Sequence, residues 1–322
     1  MEIQSPEPKL EYHNTMTYTL PLTIATPVLN GMPFIKRALE SVAEQKIQPV
    51  EHLIFDAGST DGTQNVVRQF SHSTLIEEPD SGAHEAMNKA LEIAKGDWIV
   101  FLNADDRFLP SAFEIFSRVI SENQDKEMLL GGSQVCTLRP DGMTGARLIV
   151  RQPRSDQASD LVHLTLGVPS LNSRIFRTDI LNKFNGFDNN FYISADRDLL
   201  LRMTIGGIKS ACFPEIIFEY GLHKGSQTLM ATKDVSRKIN EEHLLIASNL
   251  IKKNNANRFC LKVLKDWRAY EKFKRYCFEK KPAALFMLAF FPPLWRSLYR
   301  KKMLSRSEKR LHGVKKVLKY IP

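Results

Sequence analysis

EHLIFDAGSTDGT (51–63) and EEPDSGAHEAMNKALEIAKGDWIVFLNADD (77–106) decide the fold. Each holds an apolar, β-branched or aromatic run that stops at acidic residues, LIFD at Asp56 and WIVFLNADD at Asp105-Asp106. Runs of this kind read as strands buried on both faces. In an α/β sheet, ligands sit beyond the carboxyl ends of such strands. Carboxylates placed there suit a divalent cation and its phosphates.

Working outward, YTLPLTIATPVLNG predicts a first strand over about 19–26, with Asn30-Gly31 as a turn. Pro33 opens a helix of about 33–47, with Phe34, Ala38, Leu39 and Val42 on one face. VEHLIFDA is strand 2, followed by a helix of about 63–71. STLIEEPD is a short strand 3, and SGAHEAMNKALEIAKG is a helix ended by Gly96. DWIVFLNADD is a central strand 4, and Pro110 starts another helix to about Ile120. This alternation predicts a mostly parallel, Rossmann-like sheet flanked by helices, an α/β class. EMLLGGSQVC and ARLIVRQP add strands, a helix runs over about 195–205, and IKSACFPEIIFEY returns to the sheet as one or two strands.

The 322 residues suffice for one large α/β domain with an appendage, and 43% hydrophobic content supports a sizeable core. The four cysteines form no CxxC, which fits reduced thiols rather than structural zinc. Residues 1–18 carry Pro, Glu and Asn where a signal core would be, and read as a flexible leader before a catalytic domain of 19–232.

The net charge of +9 hides an asymmetry. Residues 252–322 hold 21 Lys/Arg and 4 Asp/Glu, so the rest of the chain is net negative. From 233 to 322 the chain reads as a basic, amphipathic helical extension. A basic tail suits nucleic acid, anionic lipid or an acidic partner. The apolar run at 282–295 is too short to span a bilayer and contains Pro292-Pro293. With Trp295 and Tyr299 beside it, it predicts a surface anchor on an anionic membrane, not a nucleic-acid site. The alternative is a helical hairpin buried in the protein itself.

Strand 1 runs into TPVLNG, which is neither GxGxxG nor GxxxxGK[ST], so dinucleotide and P-loop chemistry are disfavoured. No GxSxG elbow is present. Asp56 can accept an N–H from a base, with AGSTDG supplying backbone N–H groups, or Asp56 or Asp61 can cap the next helix. Asp105 and Asp106 repel unless a divalent cation or another partner compensates them. Asp196 and Asp198 open a helix whose N-terminus favours the ionised form, which suits a general base or an N-cap. His223 follows the last strand as a metal ligand, a diphosphate contact or a polar loop residue, with Lys224 placed to neutralise phosphate.

TIATPVLNGMPFIKRALESVAEQ (23–45), the two opening stretches and ISADRDLLLR (193–202) together resemble the inverting family 2 glycosyltransferases of the GT-A fold. The similarity is to bacterial enzymes of exopolysaccharide, colanic acid and lipopolysaccharide synthesis, and it covers about 20–225. It implies that Thr26, Pro27 and Asn30 line a nucleotide pocket, that Asp56 reads the base, and that Asp80 lies by the ribose or base. Asn103-Ala104-Asp105 stands at the DxD position, with Asp105 as ligand of Mg²⁺ or Mn²⁺ and Asp106 as a supporting metal ligand; His223, from its place after the last strand, is a further candidate ligand. Asp196 is implied as catalytic base, and Asp198 as its support. The usual first Asp of DxD is Asn103 here, and the frequent GxYDAMNKG reads GAHEAMNKA, with His84 and Glu85.

The resemblance implies a UDP- or GDP-type sugar donor, a glycan or lipid-linked acceptor, and a cytoplasmic enzyme peripheral on the inner face of the cell membrane. Two other classes compete. A nucleotidyltransferase making such donors would carry a glycine-rich basic loop after strand 1. A non-catalytic binder of nucleotides or anionic polymers would lack the carboxylate constellation.

Overall fold

The computed structural model describes residues 19–154, 157–226, 232–253 and 256–308. The leader at 1–18 and the last basic residues, 309–322, lie outside them. Nine strands form one sheet: β1 (Thr19–Val28), β2 (Gln48–Asp56), β3 (Ser73–Glu77), β4 (Trp98–Phe101), β5 (Arg107–Phe108), β6 (Met128–Leu138), β7 (Thr144–Arg151), β8 (Arg174–Arg177) and β9 (Ser210–Leu222). Their order is β3-β2-β1-β4-β8-β6-β9-β5, with β7 on β6.

The β3-β2-β1-β4 half is parallel, as strand–helix alternation requires. The other half is mixed. β8 runs antiparallel to both β4 and β6, and β7 folds back on β6 as a hairpin, while β9 is parallel to β6. The expectation of a mostly parallel sheet therefore holds for only half of it. A short connection accounts for the antiparallel β6–β7 hairpin, whereas β8 and the β5–β9 pair bring together strands far apart in the chain.

Period-two alternation sorts the two faces. Leu20, Leu22 and Ile24 of β1, with Trp98 and Val100 of β4, pack on Ala38 and Val42 of α1 (Ile35–Ala43) and on Phe113 and Phe116 of α4 (Ala112–Glu122). Ala25, Ile99 and Phe101 face the other way, onto α3 (Ala83–Ile93) and α7 (Ala195–Ile205). The short α2 (Thr63–Val67) covers the β2 end. α3 stops at Ile93, before Gly96. Gly96 instead permits a close approach: a Cβ there would lie 2.4 Å from the Thr23 amide nitrogen.

Three elements between β7 and α7 carry weak periodicity in the sequence: α5 (Leu161–Leu166), β8, and α6 (Thr178–Lys183). α8 (Lys233–Lys252) and α9 (Arg258–Phe278) are amphipathic, as expected. Their apolar faces join the main core: Ile246, Ala247, Leu250, Val263, Leu264 and Trp267 pack in one cluster with Leu199, Leu200 and Phe101. The sequence boundary at 232/233 is thus not a boundary in packing. α10 (Ala283–Phe290) and α11 (Pro292–Glu308) follow, and Arg296 and Arg300 of α11 both pair with the fully buried Asp266 of α9.

Candidate active site

A cavity of about 510 Å³ opens where β1, β4 and β9 end, between α3, α7 and α8. Of the residues singled out in the sequence, Pro27, Asn30, Asn103, Ala104, Asp105, Asp196 and His223 line it. Positions 80 residues or more apart meet there because parallel strands place their carboxyl ends along one edge.

The donor end is built by two loops tied together. The Asn30 backbone N–H donates to Ser59 Oγ (2.7 Å), and its side-chain oxygen accepts from the Thr60 N–H (2.9 Å). Asn30 takes a left-handed φ of 52°, which asparagine tolerates. Asp61 accepts from Met32 N–H and from the N–H and hydroxyl of Thr63, so it fastens the loop rather than facing a ligand.

Asp56 is fully buried at the tip of β2. One oxygen, Oδ1, accepts from Gly58 N–H, Ser59 N–H and Ser59 Oγ–H. The other, Oδ2, has no hydrogen-bond partner among the described residues. A buried carboxylate oxygen without a donor is costly. Asp80 lies close by: its Oδ1 accepts from Gly82 N–H (2.9 Å), and burial pushes its carboxyl above the ordinary value. Neither Asp56 nor Asp80 lines the cavity.

Thr26 is not part of the pocket. It is fully buried, with its hydroxyl 2.9 Å from His52 Nε2 on β2, because alternation along β1 turns its side chain into the sheet.

The two carboxylates after β4 divide sharply. Asp105 lines the cavity, with Oδ2 3.0 Å from His223 Nε2. Asp106 is fully buried and faces the protein. Its Oδ1 accepts from Gly221 N–H (2.9 Å), and its Oδ2 from the amides of Asn103 (3.1 Å) and Asn172 (2.9 Å). Burial and the neighbouring Asp105 push its carboxyl well above the ordinary range. The expectation of Asp106 as a metal ligand is therefore corrected: its acceptor sites are spent on stitching the β4 loop to β9. Gly221 is required there, since a Cβ would lie 2.0 Å from Asp105 O.

Asp105 and His223 fit a divalent cation. Cis ligands at about 2.1 Å in an octahedral shell lie about 3 Å apart, matching the 3.0 Å separation of Oδ2 and Nε2. An imidazole beside a carboxylate favours Mn²⁺ over Mg²⁺. His223 Nδ1 accepts from Gly225 N–H at 3.2 Å, which holds the ring on its turn. Among the described residues no three His, Cys, Asp or Glu side chains group as a metal cluster, so donor oxygens would complete the shell. Lys224 is exposed on the 223–226 turn and does not line the cavity.

Asp196 also lines the cavity; it opens α7 and its Oδ1 accepts from Arg197 N–H (2.6 Å). Arg197 is buried and its guanidinium binds the carbonyls of Leu164, Thr165 and Gly167, which anchors the α5 loop to the helix start. Asp198 points elsewhere. It is buried and paired with Arg202 (2.6 Å), whose guanidinium holds the carbonyls of Phe184 and Gly186. Residues two apart on a helix sit about 200° apart around its axis, so Asp196 and Asp198 cannot share the cavity face.

His84 is a cavity residue the sequence marks only as a departure. Burial holds its imidazole below the ordinary value, against the opposing pull of Asp196. Arg37 had no signal at all. It donates to Asp105 O (2.8 Å) and pairs with the buried Glu219, fixing the Asp105 backbone from behind.

Residues 23–169 match the sequence profile of glycosyl transferase family 2. A glycosyltransferase of Bacillus subtilis (strain 168), provisionally assigned to teichuronic acid biosynthesis, is 37% identical over 106 residues, 31% of this chain and 42% of that protein. The match thus spans less than half the length of that relative. Staphylococcus aureus TarS (1–349) in complex with UDP-GlcNAc superposes with a TM-score of 0.59 at 17% identity, covering 87% of this chain and 79% of that one. The mannosyltransferase PcManGT of Pyrobaculum calidifontis, in complex with GDP-Man and Mn²⁺, gives 0.56 at 17%, covering 92% and 88%. At that identity the two structures establish a shared GT-A architecture. The profile match spans the strands and loops from β1 to the start of the α5–β8 connection, and over that stretch the chain is similar to glycosyl transferase family 2.

Proposed function

We propose that the chain is a metal-dependent inverting glycosyltransferase that moves a sugar from a nucleoside-diphosphate sugar to a hydroxyl of a glycan or lipid-linked acceptor in cell-surface polysaccharide synthesis. The observation that carries this reading is that Asp105, His223 and Asp196 line one cavity, with His223 Nε2 3.0 Å from Asp105 Oδ2. The unpartnered Oδ2 of Asp56 accepts a base N–H, and the tied Asn30 and Ser59 loops shape the nucleotide wall. A cation held by Asp105 and His223 would stabilise the charge of the departing diphosphate. Asp196 accepts the acceptor-hydroxyl proton as that oxygen attacks the anomeric carbon, and displacement from the opposite face inverts the configuration.

The test is a calorimetric panel of UDP-, GDP- and dTDP-sugars, starting with UDP-GlcNAc and GDP-Man, with Mn²⁺ or with chelator. One donor should bind in a metal-dependent way and turn over. Failure of every donor to bind under any metal would sink the reading.

Membrane attachment is supported by α10 and α11. Met287 and Leu294 are buried against the protein, while Phe286, Phe290, Phe291, Trp295 and Tyr299 are exposed. Lys280, Lys281 and Lys302 are exposed beside them. Among the described residues no helix is long and apolar enough to cross a membrane. Aromatic side chains ringed by cations suit an anionic bilayer surface. The full chain should float with vesicles of phosphatidylcholine and phosphatidylglycerol, and Phe286→Ser/Phe290→Ser should weaken binding at least about tenfold, since each buried phenyl contributes about 2 kcal/mol. Equal flotation of the two proteins would refute the attachment.

A further inference from the structure

The segment Tyr192-Ile193-Ser194 leads into α7 and delivers Asp196 to the cavity. Its three consecutive backbone N–H groups converge on one carboxylate, that of Glu242. Tyr192 donates to Oε1 (3.0 Å), Ile193 to Oε1 (3.3 Å) and Oε2 (3.2 Å), and Ser194 to Oε2 (2.8 Å). Glu242 sits on α8, 48 residues from Ser194, and is 8% exposed. It lies outside the 23–169 stretch that matches the family profile.

A local capping box would satisfy only the last of these donors, through a Glu or Gln at the third helical position, and α7 has Arg197 there. Ser194, at the cap position of α7, makes no side-chain cap bond. A buried carboxylate is a costly replacement unless fully hydrogen-bonded, and here it is. The same face of α8 makes a second contact with this segment. Lys238 Nζ of α8 lies 4.3 Å above the Tyr192 ring, and that ring lies against Gly82 at the start of α3. Ile239 and His243 of α8 line the cavity beside Asp196. His243 Nδ1 is 3.3 Å from Glu271, and burial lowers its imidazole to about 4, so α8 adds a neutral wall there.

We propose that Glu242 is a positioning residue for Asp196. Its carboxylate reaches from α8 to fix the 192–194 backbone, and so sets where the Asp196 carboxylate meets the acceptor hydroxyl. The basic C-terminal helices then complete the catalytic site rather than merely following it. This rests on the reading of Asp196 as the base.

The experiment uses the full chain carrying Glu242→Gln, Glu242→Ala, Asp196→Asn, and Asp196→Asn combined with each Glu242 variant. Turnover and affinity are measured with UDP-GlcNAc and GDP-Man, whichever is the donor, together with amide exchange over 192–196. An error of about 1 Å at a reacting group costs up to about 100-fold in rate. The expected result is a 10- to 100-fold fall in kcat for Glu242→Ala and a smaller one for Glu242→Gln, with donor affinity within twofold of wild type. Exchange over 192–196 accelerates, and no further loss appears in the Asp196→Asn background.

If Asp196→Asn is inactive while both Glu242 variants keep full kcat, the positioning role is wrong and the base assignment stands. A multiplicative loss in the double variants also overturns it, because general support of the fold would act independently of Asp196. If Asp196→Asn keeps full activity, the base reading fails and this proposal with it. Should Glu242→Ala not fold, the near-isosteric Glu242→Gln decides by the same criteria.

Discussion

Replacing Asp196 with asparagine should lower kcat by about 10³-fold, within the range for loss of a positioned general base, while leaving donor affinity within twofold. The variant is close to isosteric. Its side-chain oxygen can still accept from Arg197 N–H, as Oδ1 does at 2.6 Å, so the start of α7 keeps its local bond. What is lost is the capacity to take a proton. On the proposed mechanism Asp196 meets the acceptor hydroxyl rather than the nucleotide, so donor binding should not depend on it. Calorimetry of donor binding and a donor-turnover assay on the same preparation give the two readouts. A kcat within threefold of wild type would remove Asp196 from the chemistry. A collapse of donor affinity would instead place it at the nucleotide.

Asp105→Ala should abolish the effect of metal on donor binding. Wild type is expected to bind its donor about 100-fold more tightly with Mn²⁺ than with chelator, or about 2.7 kcal/mol, on the scale of losing a metal-site group. In the variant the two affinities should coincide at the chelator value. His223 alone offers one neutral nitrogen, too little to hold a hard divalent cation against water. The backbone around position 105 should persist, because Arg37 binds its carbonyl and Asp106 fastens the same loop to Gly221 and Asn172. Donor titrations with and without EDTA make the comparison. Metal-dependent tightening of normal size in the variant would show that the cation is held elsewhere.

These two carboxylates mark what the linear chain displays well. Hydrophobic runs ending in LIFD and WIVFLNADD are local signals, since a strand buried on both faces needs an unbroken apolar run. They placed Asp56 and Asp105 at the carboxyl edge of the sheet. Helix α7 was equally legible, with its span of 195–205 matching the structure and Asp196 in its first turn.

The neighbours of these residues were harder. Adjacent Asp105 and Asp106 look equivalent in sequence, yet Asp106 is buried among donors from Asn103, Asn172 and Gly221 while Asp105 meets the cavity. Only the packing of β9 against the β4 loop separates them. Thr26 faces His52 because pairing with β2 fixes which side of β1 is inside. Asp198 is a similar case, taken by Arg202 for the 184–186 turn.

Local pattern by itself determined the parallel half of the sheet, its covering helices and the carboxylates at its edge, because strand and helix periods and strand-end residues are written within a few positions. Tertiary structure alone decided the mixed half of the sheet, the insertion of β8 between β4 and β6, and the joining of α8 and α9 to the main core. It also decided that Arg37, Glu219 and Glu242 stand behind the site. Each of those side chains bonds to groups tens of residues or more away, and a charge that compensates a distant partner leaves no periodic trace in its own neighbourhood.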